Sequence, residues 1–236
     1  MSEKKRDYLK NRKRFSFKFA RFVVKILYHR PKFIYLDEEI PDGPFLFIVN
    51  HAGSNVPTRI ECYFPKDFMM WGTHEMAEGW KAVKYYLIHT YYHQKKKFPL
   101  FFAYLIGFIF SPFANMFHRG MRLIPTYTDA RFIQTIKESV RTLENNKGIV
   151  IYPEDSSEGY KEEIERFFNG FLMLSEAAKR KGIDLPIYVS YYIKKKKTFI
   201  VDKRVYFSAL EKEFNGDKNA IAEHLRKRMN ELANYQ

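Results

Sequence analysis

The stretch "FLFIVNHAGSNVPTRI", residues 45–60, decides how the chain is read. Phe45 to Val49 form a continuous apolar run, as expected of a short buried strand. Asn50 and His51 follow directly, on a turn rich in Gly, Ser and Asn. A histidine at a strand end is placed for general-base chemistry, because imidazole titrates near neutral pH. Its structural counterpart is a histidine that only caps the strand.

Outward from this stretch, strand and helix patterns alternate. "KFIYLDEEIPDGPF" reads as a strand and a turn at Pro41 to Pro44, and "DFMMWGTHEM" holds another short apolar run. "AEGWKAVKYYLIHTYYHQKKK" is expected to be helical. In "ARFIQTIKESVRTLENNK", Phe132, Ile133, Ile136, Val140 and Leu143 recur at helical spacing, with Gly148 as a stop signal. "GIVIYPED" is an apolar strand ending in carboxylates, "GFLMLSEAAKRKG" a helix and "LPIYVSYYI" a strand. "KTFIVDKRVYF" is a strand pair or one bent strand, and a basic helix, Asn219 to Ala233, closes the chain. This alternation predicts an α/β fold, a single domain with a mostly parallel central sheet flanked by helices. Chemistry in such sheets gathers at the carboxyl ends of strands, so His51 and Glu154 are expected to face one cleft.

Composition narrows the partners. The 236 residues are 46% hydrophobic and 18% aromatic, with a formal net charge of +14. That length suffices for one substantial core, and disorder is not expected. Basic and aromatic together fit an anionic membrane surface or a nucleic acid. The single cysteine, Cys62, rules out an internal disulfide and a multi-cysteine zinc site.

Residues 1–30 are expected to form a basic amphipathic helix, distinct from an α/β domain over 31–236. Phe15, Phe19, Phe22, Val23, Ile26 and Leu27 share one helical face, while Arg14, Lys18, Arg21 and Lys25 fall on the other. These charges argue against a secretory signal. Two readings stay open: an in-plane membrane anchor, or a terminal helix packed on the protein's own core. Phe98 to Phe117 contains no charged residue, a length that allows a span of about twenty residues. Gly107, Ser111, Pro112 and Asn115 are expected to break its second half, favouring a surface-dipping hairpin or a buried helix. Lys95 to Lys97, just before it, suit anionic head groups.

Four segments, in order, resemble the lysophospholipid acyltransferase family of the 1-acylglycerol-3-phosphate acyltransferase type. Asn50-His51 resembles its N-H-x-x-x-x-D motif, with Val56 in place of Asp. Gly120-Met121-Arg122-Leu123-Ile124 resembles the second motif, and Tyr152-Pro153-Glu154-Asp155-Ser156-Ser157 the third, F-P-E-G-T-R-S. Leu185-Pro186-Ile187-Tyr188-Val189 resembles the fourth, V-P-I-V-P-V, and "FFNGF" the family's F-x-x-G segment. The likeness covers roughly residues 45 to 205 and marks the chain as a divergent relative.

The resemblance implies transfer of a fatty acyl group from a thioester donor, acyl-CoA or acyl carrier protein, to a hydroxyl or amine of a lyso-lipid or glycolipid. His51 would be the general base, with no metal and no bound cofactor. Asn50, Asn55, Arg122, Tyr152, Glu154, Ser156 and Ser157 would line the substrate site. The family's Asp orients the histidine, as a buried carboxylate does in hydrolase triads, and Val56 cannot. Asp155 is the expected replacement, with Glu61, Asn55 and Ser54 as further candidates. Ser157 replaces the family's phosphate-holding arginine, so an acceptor other than a phosphate monoester is expected. The place in the cell would be peripheral or monotopic on the cytoplasmic face of a membrane rich in anionic lipids, in phospholipid biosynthesis. The alternative is a catalytically inactive lipid-binding relative.

Other constellations are weaker. "THEMAE" approaches H-E-x-x-H but ends in Glu78, so His74 and Glu78 are not expected to hold a metal. His89 and His93, four apart, are expected on a solvated or interfacial helix face. "YYIKKKKTF" could be an RNA-binding stretch, but reads better as a basic hairpin tip or membrane-facing rim, and no nucleic-acid partner is expected.

Overall fold

The strand β2 (Leu46–Val49) organises the molecule. In the computed structural model, which describes residues 8–52 and 55–235, all four of its residues are buried. Side chains alternate across a strand, so Leu46 and Ile48 enter one core while Phe45, Phe47 and Val49 enter the other. A strand covered on both faces reads as one apolar run.

The other strands are β1 (Lys32–Tyr35), β3 (Phe68–Thr73), β4 (Leu123–Thr126), β5 (Gly148–Ile151), β6 (Pro186–Ile193), β7 (Thr198–Val201) and β8 (Val205–Tyr206). They form a single sheet in the order β1-β7-β6-β2-β5-β3-β4, with β8 beside β6. All pairings are parallel except those of β6 with β7 and with β8. The expected α/β class and mostly parallel sheet are therefore what the chain forms. "KTFIVDKRVYF" is two strands, which pair with their neighbours rather than with each other. The four lysines 194–197 are the turn of the β6–β7 hairpin, with Lys197 at φ +51°.

Helices cover both faces. On one side lie α7 (Phe132–Glu144), α8 (Gly170–Lys179), α9 (Phe207–Glu213) and α10 (Lys218–Ala233), packed around Leu46, Ile149 and Ile187. The other side carries α2 (Phe15–Leu27), α3 (Asn55–Tyr63) and α6 (Leu100–Gly120), with the short helices α1 (Tyr8–Lys13), α4 (Glu75–Glu78) and α5 (Trp80–Tyr85) near them. Between α5 and α6 the chain runs as a π-helix, Tyr86–Lys95, a wide-turned form frequent at functional sites. Gly148 does more than stop α7. A Cβ there would meet the Phe45 ring at 2.1 Å, so glycine lets that ring close over β5.

The N-terminal segment forms two helices, α1 and α2, and α2 packs one stripe on the protein's own core while another stripe is exposed. Phe17, Ala20 and Val24 pack inward, with Phe17 stacked on Phe117 at 5.9 Å. Phe15, Phe19, Phe22, Ile26 and Leu27, most of the face picked out by periodicity, stand exposed. Residues 1–7 of the expected segment lie outside the described residues.

The break expected at Pro112 does not occur, since α6 is one continuous helix of 21 residues. Proline at 112 removes the N–H that would reach the Phe108 carbonyl. The Ser111 hydroxyl donates to that carbonyl instead, at 3.4 Å, and itself accepts the Trp80 indole N–H at 3.1 Å. The other residues expected to break the helix, Gly107, Ser111 and Asn115, continue a buried stripe that starts at Ala103. There the π-helix comes close, and a Cβ on Gly107 would meet Ile88 at 2.4 Å. Phe101, Phe102, Leu105 and Phe108 face outward, with Phe101 74% exposed. By length and composition α6 could cross a membrane.

Candidate functional site

Strands β2 and β5 are parallel neighbours, with Ile48 beside Ile151, so their carboxyl ends deliver His51 and Glu154 to the same edge. The two meet there. The His51 backbone N–H donates to the Glu154 carboxylate, while Glu154 Oε1 is buried with no partner among the described residues. Burial raises the Glu154 pKa to about 7, although the His51 N–H and nearby Lys95 both oppose the shift. Ala52, next along the turn, has φ +41°, a left-handed conformation unusual for a residue with a Cβ.

The His51 ring lies between two tyrosines. Tyr160 stacks on it at 4.9 Å and 28°, and Tyr152 sits tilted at 5.0 Å. Both phenol hydroxyls are buried and lack partners among the described residues. Burial holds both phenols above their ordinary pKa, so they remain protonated donors.

This end opens into a cavity of about 870 Å³. Val23, Val24 and Leu27 of α2, Met70 and Trp71 of β3, and Ile109, Phe113 and Phe117 of α6 line its apolar body. Tyr86, Tyr91 and Lys96 join His51, Tyr152 and Tyr160 around it. A smaller hollow, about 160 Å³, lies on the other side of Glu154, among Asp155, Ser157, Glu158, Glu163, Glu165, Lys161 and Arg166.

The π-helix holds the loop after β5 in place. Lys95 Nζ donates to Ser156 Oγ at 2.8 Å and lies 5.3 Å from the Tyr160 ring. Gly159, at φ +112°, lets the loop turn against the Lys95 carbonyl, which a Cβ would meet at 3.2 Å. Lys96 lies 5.8 Å from the Tyr160 ring. Burial lowers the Lys95 pKa, against the pull of Glu154 and Asp155.

The residues singled out from the sequence divide into two groups. His51, Tyr152, Glu154 and Ser156 come together with Lys95 and Tyr160. The remainder have other partners. Asn50 is buried and accepts the Tyr192 N–H at 2.7 Å, tying β2 to β6. Asn55 accepts from Arg59, whose guanidinium also lies over the Tyr28 and Tyr192 rings. Arg122 donates to Glu61 and covers the Phe68 ring at 3.9 Å. Glu61 is fully buried and also ion-paired to Arg12. Val56 is fully buried in the apolar core.

Asp155 accepts the Ser157 N–H at 3.1 Å and lines the smaller hollow, whereas the His51 ring lines the larger cavity. The carboxylate that reaches His51 by its backbone is Glu154. Ser54 lies outside the described residues. His74 sits beside Glu75 and Glu78, at 3.3 and 3.8 Å, and stacks on Tyr127.

Sequence reasoning missed Tyr160 and Lys95 as site residues. Their one signal was an aromatic after "EDSSEG" and a lysine run before an apolar helix. Neither pattern carries information about a partner some fifty or more residues away.

No family model matches the chain, and no curated protein matches it either. Among solved structures it is similar to the 1-acyl-sn-glycerophosphate acyltransferase PlsC from Thermotoga maritima. That match has a TM-score of 0.50 at 14% identity, over 94% of this chain and 79% of the other. What the match shows for this chain is the fold, a single α/β domain with a mostly parallel sheet flanked by helices.

Proposed function

We propose that the protein transfers a fatty acyl group from a thioester donor, acyl-CoA or acyl carrier protein, to a hydroxyl of a lyso-lipid at a membrane surface. The observation that carries this reading is the position of His51. It lies at a strand end, at the wall of a cavity of about 870 Å³ whose body is apolar and long-chain compatible. A hydroxyl is a weak nucleophile at neutral pH. His51 takes its proton as the oxygen attacks the thioester carbonyl, and returns it to the departing thiolate.

The membrane part of the proposal rests on the outer faces of α2 and α6. These neighbouring helices expose Phe15, Phe19, Phe22, Phe101, Phe108 and other large apolar groups. The opposite stripe of each is packed on protein, which suits helices lying in the membrane plane. Such a face is more apolar than soluble monomers ordinarily leave open. Lysines 95–97 and the net charge of +14 favour anionic lipid, on the cytoplasmic face.

Arg122 is engaged by Glu61, whereas Lys95 and Lys96 lie 5.3 and 5.8 Å from the Tyr160 ring and Lys96 lines the cavity. An anionic group on the acceptor would meet these two lysines. An acceptor whose head group is other than a phosphate monoester is favoured by Ser157 where the resembled family has arginine, and by Pro125 and Thr126 at the end of the second motif.

The buried Val56 favours a second reading, a lipid-binding relative without turnover. Purified protein with labelled acyl donor and a panel of lyso-lipids separates the two. On the first reading donor is consumed, and His51→Ala reduces the rate about 10²- to 10⁴-fold. An unaffected His51→Ala protein would refute the mechanism. Lipid binding without any donor consumption would establish the second reading.

A further inference from the structure

Tyr160 is placed to do more than pack against His51. Its ring lies 4.9 Å from the imidazole at an interplanar angle of 28°, and both residues line the cavity. Its hydroxyl is buried and has no partner among the described residues. Buried polar groups are almost always hydrogen-bonded, and an orphan beside a large cavity calls for a ligand atom. The loop that carries Tyr160 is held in two places by Lys95, through the Ser156 hydroxyl and against Gly159. The hydroxyl is thus pre-positioned before any ligand arrives, the condition under which a donor stabilises developing charge.

We propose that Tyr160 is a catalytic residue whose hydroxyl donates a hydrogen bond to the carbonyl oxygen of the acyl thioester. The proposal rests on the acyl-transfer reading above. As the acceptor oxygen forms its bond to the carbonyl carbon, the π pair moves onto the carbonyl oxygen and His51 takes the acceptor's proton. Tyr160 shares its hydrogen with that oxyanion without giving it up. When the carbonyl re-forms, the C–S bond breaks, and the thiolate leaves with the proton held by His51. Tyr160 is a neutral donor throughout, because burial disfavours its phenolate. The acyl chain then extends from this point into the apolar body of the cavity, between α2 and α6.

Tyr160→Phe keeps the stacked ring and removes only the hydroxyl. The expected result is a fall in kcat of about 10²- to 10³-fold, with the acceptor KM and the pH limb set by His51 unchanged. A kcat equal to that of the unaltered protein overturns the proposal. A second measurement does not need turnover. A long-chain alkyl methyl ketone, isotope-labelled at its carbonyl carbon, replaces the thioester sulfur by carbon and cannot react. Its carbonyl infrared band is expected at lower frequency in the unaltered protein than in Tyr160→Phe. Identical bands, or no binding of the ketone, also overturn the proposal. A lowered band together with no consumption of any donor would sink the acyl-transfer reading while leaving the hydrogen bond standing.

Discussion

The buried polar clusters around Glu61 and around Glu154 are finished differently. At Glu61 every oxygen is engaged. The carboxylate binds Arg12 and the Arg122 backbone N–H, and the Glu61 carbonyl takes Arg122 Nη2 at 3.2 Å. Arg12 also donates to the Gly120 carbonyl at 2.8 Å, so the cluster ties α1, α3 and the end of α6 together. At Glu154 one oxygen has no partner among the described residues, and neither do the hydroxyls of Tyr152 and Tyr160. A buried polar group without a partner costs about 1–3 kcal/mol, so three together are tolerable only where something else is gained. The contrast separates a cluster whose polar groups are all paired from one that keeps three unpartnered polar atoms among the described residues.

The sharpest way to break this contrast is to remove the Glu61 charge. Glu61→Gln removes the fully buried carboxylate that the half-buried Arg12 and Arg122 share, and about 3–5 kcal/mol of unfolding free energy should be lost in denaturant titration. A loss below about 1 kcal/mol would show that the Glu61 cluster is not structural.

Glu154 should behave in the opposite way. Its pKa rises from 4.5 to about 7 on folding. Below pH 4.5 both states carry the proton and the group exerts no pull. Between 4.5 and 7 the unfolded chain ionises while the folded chain does not, so stability falls as pH rises. Over that interval the loss is about 3 kcal/mol, and Glu154→Gln should flatten it. Stability curves of the two proteins with the same slope across this window would contradict the assignment.

The smallest effect on stability is expected where neither cluster reaches. Phe22 and Phe101 are 62% and 74% exposed. Replacing both by Ser should shift folding free energy by no more than about 0.5 kcal/mol, while lowering affinity for anionic vesicles about tenfold or more. Vesicle binding in cosedimentation that survives the change would mean that another face meets the lipid.

Legibility in the sequence followed the range of the interactions. The strands around His51 and Glu154 were readable because each is a local apolar run, and so was their delivery to one edge of a parallel sheet. The amphipathic face of α2 was readable too, but not which stripe would be inward. Its strongest periodic signal, Phe15-Phe19-Phe22-Ile26, is the exposed face, and the buried one uses the weaker trio Phe17, Ala20 and Val24. Pro112 misled because a proline's cost depends on what takes up the freed carbonyl. Here Ser111, steadied by Trp80 from another helix, does so. Asp155 and Arg122 were drawn from motif positions, yet a carboxylate or guanidinium goes where its nearest partner lies. Those partners are the Ser157 N–H and Glu61.

By itself, then, the sequence determined the α/β class, the strand-end location of His51 and Glu154, and the apolar, basic character of a surface. Each of these is written in residues close together along the chain. Only the tertiary structure decided which charges became structural, that Tyr160 stacks on the histidine with Lys95 near the Tyr160 ring, and that a cavity of about 870 Å³ opens beside them. These depend on contacts between segments far apart in sequence. Burial then acts on each group according to the partners it finds, pairing Glu61 with arginines and leaving an oxygen of Glu154 and two phenol hydroxyls buried without a partner among the described residues.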